Sequence, residues 1–84
     1  MYPYLGAIVI YTFPNIDPHD RHSEPGAGLP PCPGIVVDLP GLPGGTRVTL
    51  RLMSVFTMEV KYGAPYDPAG KPSTWRWPTE HAAG

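Results

Sequence analysis

The densest run of polar side chains is Asp17-Pro18-His19-Asp20-Arg21-His22-Ser23-Glu24. Two imidazoles three residues apart, with carboxylates close by, are donor types that can hold a divalent metal such as zinc. A metal would also suit so short a chain, because its binding adds folding free energy. The spacing argues against it, since zinc patterns repeat close Cys/His pairs and this run has no second pair. Prolines and acidic residues suit a solvated loop, so no metal ligand is assigned. Cys32 could serve as a nucleophile with His19 or His22, but that needs a depressed thiol pKa and an oriented base. Pro31 and Pro33 place it in an extended segment with no helix N-terminus beside it. It reads as a small hydrophobe. Asp38 and Glu59 have the chemistry of an acid/base pair, yet nothing in the sequence constrains their distance. No catalytic residue and no cofactor are assigned, and a non-enzymatic protein is expected.

Trp75 and Trp77 flank Arg76. The pair could form a stacking platform for a sugar, a nucleotide or a proline-rich peptide. The other reading, favoured because so small a core needs large aromatics, is that the pair closes the open end of a barrel. Tyr2, Tyr4, Tyr11 and Tyr62 extend an aromatic surface or flank the sheet.

Side chains such as these need strands to position them. Val48, Leu50 and Leu52 alternate with Thr49 and Arg51; Phe56, Met58, Val60 and Tyr62 alternate with Thr57, Glu59 and Lys61. A period of two predicts a β-hairpin with one apolar face. With Met53-Ser54-Val55 as its loop, Leu52 would face Phe56, Leu50 would face Met58 and Val48 would face Val60. Glu59 would then lie diagonal to Arg47 and Arg51 on the outer face. Tyr4 to Phe13, Gly34 to Leu39 and Thr74 to Trp77 read as further strands. No helix-period segment of useful length exists. The expected fold class is all-β, a small antiparallel barrel of about five strands.

Residues 1–84 form one domain on grounds of length. A chain this short buries only about two thirds of its unfolded surface, so it is marginal alone. One cysteine allows no internal disulfide. The missing stabilisation must come from an oligomer, a larger structure or a metal. Thirteen prolines and ten glycines approach the range of disordered chains, but the strand patterning and the aromatics argue for a β core with long, stiff connections. Residues 13–33 read as an extended Pro-rich loop or arm. Fully extended, about 20 residues reach roughly 65 Å, enough to lie on a neighbouring subunit.

A net charge of −1 and the lack of a basic cluster speak against a nucleic-acid partner. Ala7–Ile10 is too short to span a membrane, and the start of the chain has no charged leader region. A protein made and folded in the cytoplasm, with Cys32 reduced, is expected.

The order Leu5-Gly6-x-Ile8-Val9-x-Tyr11, Pro33-Gly34-Ile35-Val36-Val37, Val48-Thr49-Leu50, Ala64-Pro65-Tyr66-Asp67 and Thr74-Trp75-x-Trp77-Pro78 resembles a group of small proteins of tailed bacteriophages and prophages. The closing Trp-x-Trp-Pro is its most specific piece. The chain departs from the pattern at Ala7, where the group often has arginine, and at Ile10 and Arg76, where it has histidine. A site built on those polar residues would be missing here. The resemblance implies a phage origin and a fold similar to a Src-homology-3-like barrel; it supplies no reaction. The resulting expectation is a virion protein, a capsid decoration or cement protein, binding the major capsid protein or other virion subunits and forming a homo-oligomer. Tyr2, Tyr4, Ile16, Leu29, Trp75 and Trp77 are the expected partner-binding residues. A second expectation is a small phage-encoded binding module that sequesters a nucleotide signal or inhibits a host protein. A third, weaker one is a metal-dependent enzyme using His19 and His22.

Overall fold

Five short strands form the fold in this computed structural model, which describes residues 2–14, 28–40, 45–54 and 59–80. They are β1 (Ile8–Thr12), β2 (Cys32–Asp38), β3 (Val48–Leu52), β4 (Val60–Ala64) and β5 (Thr74–Arg76). All pair antiparallel in one sheet of order β4-β3-β2-β1-β5. Among the described residues there is no helix, and hence none long and apolar enough to cross a membrane. The all-β class expected from the alternating pattern is the one observed, and the curled sheet is consistent with a small Src-homology-3-like barrel.

Two irregularities curl the sheet. Val36 pairs with Leu50 but Asp38 with Thr49, so β2 carries one extra residue at Val37. Val48 pairs with Ala64 but Leu50 with Lys61, so β4 carries one extra residue as well. Gly63 lies within that second bulge with φ +62°, a conformation that a glycine adopts without a Cβ penalty. Both bulges fall beside Thr49 on β3, and a bulge bends its strand and increases the local twist.

The curl ends in closure. After β4 the chain runs on through Pro65, and Tyr66 forms a parallel bridge with Trp75 of β5. Trp75 donates its backbone N–H to the Pro65 carbonyl, and Asp67 donates to the Trp75 carbonyl, each at 3.0 Å. Trp75 therefore pairs with Tyr11 on one side and with Tyr66 on the other. The core inside comprises Ala7, Val9, Tyr11, Phe13, Cys32, Val36, Val48, Leu50, Leu52, Ala64 and Trp75. Every buried side-chain nitrogen and oxygen among the described residues has a hydrogen-bond partner.

Three expectations about the elements need correction. The first strand begins at Ile8 and not at Tyr4, because Tyr4 to Ala7 form a turn. Ala7 donates to the Tyr4 carbonyl at 3.1 Å, and Gly6 has φ +85°, as the third position of a type II turn requires. The second strand begins at Cys32, inside the expected arm. Pro33 is tolerated there because it stands at the end of the β2–β3 ladder, where its carbonyl still accepts from Met53 at 2.9 Å. The ends of the expected 13–33 arm thus belong to the barrel. Phe13 is in the core, Gly28 donates to the Pro14 carbonyl at 2.9 Å, and Leu29 packs on the core. Residues 15–27 lie outside the described residues.

The third correction is the hairpin register. Leu50 pairs with Lys61, and Leu52 donates to the Glu59 carbonyl at 2.9 Å. This differs from the expected register by three residues. An odd shift turns every side chain of a strand over, so Val60 and Tyr62 face solvent, Tyr62 with 83 % of its surface exposed. Lys61 turns inward instead, and the bulge around Gly63 brings Ala64 back to the inner face. The Lys61 ammonium lies 5.9 Å from the Tyr11 ring centre and 6.0 Å from that of Phe13, and it pairs with Glu59 at 3.3 Å. Its aliphatic stem covers the apolar surface that Val60 would otherwise have covered. Phe56 and Met58 lie outside the described residues.

Candidate functional site

The two tryptophans of β5 and its exit have different surroundings. Trp75, placed by its pairing with Tyr11 and Tyr66, is 1 % exposed. Its indole N–H donates to the Thr46 carbonyl at 2.7 Å, pinning the start of β3 to β5. Trp77 is half-buried and meets Trp75 edge to face, with centroids 5.4 Å apart and planes at 84°. Edge-to-face contact matches the positive rim of one ring to the negative face of the other. Tyr66 packs on Trp75 from another side at 4.8 Å.

A turn after Trp77 brings back a carboxylate. Glu80 donates its backbone N–H to the Trp77 carbonyl at 3.0 Å. One Glu80 oxygen accepts the Trp77 backbone N–H at 2.9 Å, and the other accepts the Tyr66 hydroxyl. That hydrogen bond pushes the Tyr66 phenol above its ordinary pKa, with burial and the charges of Glu80 and Asp67 acting the same way. Tyr66 therefore stays a donor at neutral pH. Arg76, on the opposite face of β5, bonds the Glu80 carbonyl at 3.3 Å and the Thr12 hydroxyl at 3.1 Å.

Two depressions adjoin Trp77. One, of about 570 Å³, is lined by Tyr2, Thr46, Tyr66, Trp75, Trp77 and Glu80. The other, of about 410 Å³, runs between Tyr4 and Ile8 on one side and Trp77 to Thr79 on the other. Both fall in the size range of small-ligand sites. The Tyr4 ring stands 6.0 Å from that of Trp77, so the lead-in Tyr2-Pro3-Tyr4 flanks both depressions. Tyr2, Tyr4, Leu5 and Ile8 are all exposed.

No protein family matches this chain, and neither curated proteins nor solved structures give a significant match.

The structure brings three of the expected partner-binding residues together: Tyr2, Tyr4 and Trp77 share the aromatic surface. Two others are held by the fold. Trp75 is enclosed, because the closing bridge passes through it. Leu29 is packed against the core, because the Pro14–Gly28 bond draws the chain back onto the barrel. Ile16 lies outside the described residues, as do His19 and His22. Tyr66 and Glu80 were not singled out as site residues. A carboxylate three residues beyond a Trp-Pro turn was the one sequence signal for Glu80.

The other groups weighed for chemistry are separated. Asp38 is opposite Thr49 and accepts from its own neighbour Leu39 at 2.9 Å, whereas Glu59 is opposite Leu52. Three residues of strand, about 10 Å, separate those levels, so they form no acid/base pair. Glu59 reaches Lys61, which replaces the expected diagonal contacts with Arg47 and Arg51; Arg47 instead bonds the Gly63 carbonyl at 2.9 Å. Cys32 is buried and its thiol pKa is pushed up by that burial, with a Met53 backbone hydrogen bond acting the other way. A thiol held protonated is a poor nucleophile. Among the described residues no group of three or more His, Cys, Asp or Glu could hold a metal ion.

Proposed function

We propose that the chain is a non-enzymatic structural protein of a phage virion, a capsid decoration or cement protein that docks through the aromatic end of its barrel. The observation that carries this reading is the exposed run Tyr2, Tyr4, Leu5 and Ile8 beside Trp77. These side chains lie outside a core that is already closed, so the fold does not use them. Apolar surface gathered in this way marks an interaction site. The resemblance of the Trp-x-Trp-Pro end to small phage proteins supports the origin. The partners would be the major capsid protein or other virion subunits, with further copies of the chain completing an oligomer.

Burying such a surface stabilises a complex by about 25 cal/mol per Å² of apolar area before the costs of association. Binding to phage capsids, followed by co-sedimentation, tests the reading. Tyr4→Ala combined with Leu5→Ser should abolish co-sedimentation without changing the melting temperature by more than a few degrees. Unchanged co-sedimentation would remove this face from the docking surface.

One observation favours a second reading, a small binding module. The 570 Å³ depression has aromatic walls and a fixed carboxylate, which a flat docking face does not need. Ligand-dependent thermal stabilisation of the free protein separates the two.

A further inference from the structure

We infer that the depression lined by Tyr2, Tyr66, Trp75, Trp77 and Glu80 is a site for an organic cation, an alkylammonium or guanidinium group. The inference goes beyond the virion reading and does not depend on it. Its first support is the kind of surface available. Four of the six lining residues are aromatic. Ring faces carry the negative part of the quadrupole and attract a cation that sits within about 6 Å of the ring centre. Trp75, enclosed at 1 % exposure, backs the depression as its floor, and the half-buried Trp77, set against it at 84°, and Tyr2 and Tyr66 supply the ring surface a cation can reach.

The second support is the charge. Glu80 is the only formally charged residue lining the depression, and no lysine or arginine lines it among the described residues. Its carboxylate is held in place by Trp77 at 2.9 Å and by Tyr66, so it can meet a cation without ordering a free side chain. The third support is the hydrogen-bond inventory. The Trp75 indole N–H is committed to Thr46, and the Tyr66 hydroxyl to Glu80. A phosphate would find those donors used and a carboxylate facing it. This disfavours the nucleotide signal considered from the sequence. A cation needs acceptors and π faces, and the site offers both.

A free small molecule or the side chain of a protein partner could supply this chemistry. Choline, its neutral isostere 3,3-dimethylbutan-1-ol and Nα-acetylarginine amide test it, titrated into the full chain at constant ionic strength while the indole N–H resonances are followed by NMR. Choline or the arginine amide should shift the Trp77 resonance saturably and bind about tenfold tighter than the isostere. Tighter binding of choline supports a free ligand as the source, and tighter binding of the arginine amide supports a partner's side chain. Glu80→Gln should weaken the cations and leave the isostere unchanged. Because Glu80 also holds the turn, Tyr66→Phe provides a second variant. It frees one Glu80 oxygen, so cation binding should persist or tighten. Equal binding of choline and the isostere, loss of cation binding in Tyr66→Phe, or no saturable shift with any probe would overturn the inference.

Discussion

Trp75 and Trp77 are two residues apart, share an alternation and touch, yet only one is available to a partner. Trp75 fills the barrel end and bridges β1 to the segment after β4. Trp75→Ala should cost about 3–5 kcal/mol, comparable with the whole stability of a domain this size, and should leave no cooperative unfolding transition. Trp77→Ala should keep the fold, seen as a retained transition in urea, while removing ring surface that a cation can reach. A folded Trp75→Ala protein would sink this division. Titration behaviour belongs at the same scale. Cys32 and Tyr66 both have pKa values raised in the folded state. For acids of this sign, folding favours the protonated form. The stability they contribute is fully present below their unfolded pKa values and is lost as pH rises through the folded ones. The melting temperature should therefore be flat near neutrality and fall from about pH 8.5–10 upward. Cys32→Ala and Tyr66→Phe should each flatten part of that fall. A melting temperature that rises through this window would contradict the assignment.

Among the elements, the central strands were the most legible. Val48, Leu50 and Leu52 alternate inward as their period demands, and all are buried. The register of β4 was not legible, for a physical reason. Alternation fixes which residues share a face, but not which face turns inward when polar side chains have long apolar stems. Lys61 can cover two aromatic rings, so the inward face of β4 need not be its most apolar one. Bulges shift register as well, and among residues 60–64 the glycine at 63 was the only local hint of one. Gly34 shows the opposite case, in which packing decides the residue. It pairs with Val9 and Leu52, and a Cβ there would meet the Leu52 Cδ2 at 3.2 Å and the Leu50 Cβ at 3.5 Å. Both leucines are fully buried and have little room to give. Gly34→Val should lower stability by about 1–3 kcal/mol, read as a lower urea midpoint with unchanged slope. A midpoint equal to that of the parent would show that β2 and β3 do not approach this closely.

At the scale of the whole molecule, the all-β class could be read from strand period alone, and a partly closed barrel could be anticipated from five short strands in a small chain. The site was only half legible. Tyr2, Tyr4 and Trp77 stand out by type, but Tyr66 and Glu80 reach the same depression through a parallel bridge and a turn, which no spacing rule announces. The expected arm makes its own prediction. Pro14 and Gly28 are hydrogen-bonded, so the ends of segment 15–27 already meet. Replacing that segment with a short Gly-Ser linker should leave the melting temperature within a few degrees. If the segment clasps a neighbouring subunit, the same change should reduce capsid binding by at least about tenfold, because roughly 1.4 kcal/mol of contact is enough for that. Unchanged binding would assign docking to the aromatic end alone.

The pairing of β1 with β5 joins residues as far apart as Thr12 and Arg76. During translation β1 emerges early, while its partner on that side is some sixty residues away. At about 5–20 residues per second, the β1 edge waits roughly 3–13 s on the ribosome before β5 can cover it. Over that interval it is an open strand edge, the kind of template on which nascent chains pair with one another. Chains released before Thr74 keep that edge permanently, and they should accumulate as aggregates and not as soluble fragments.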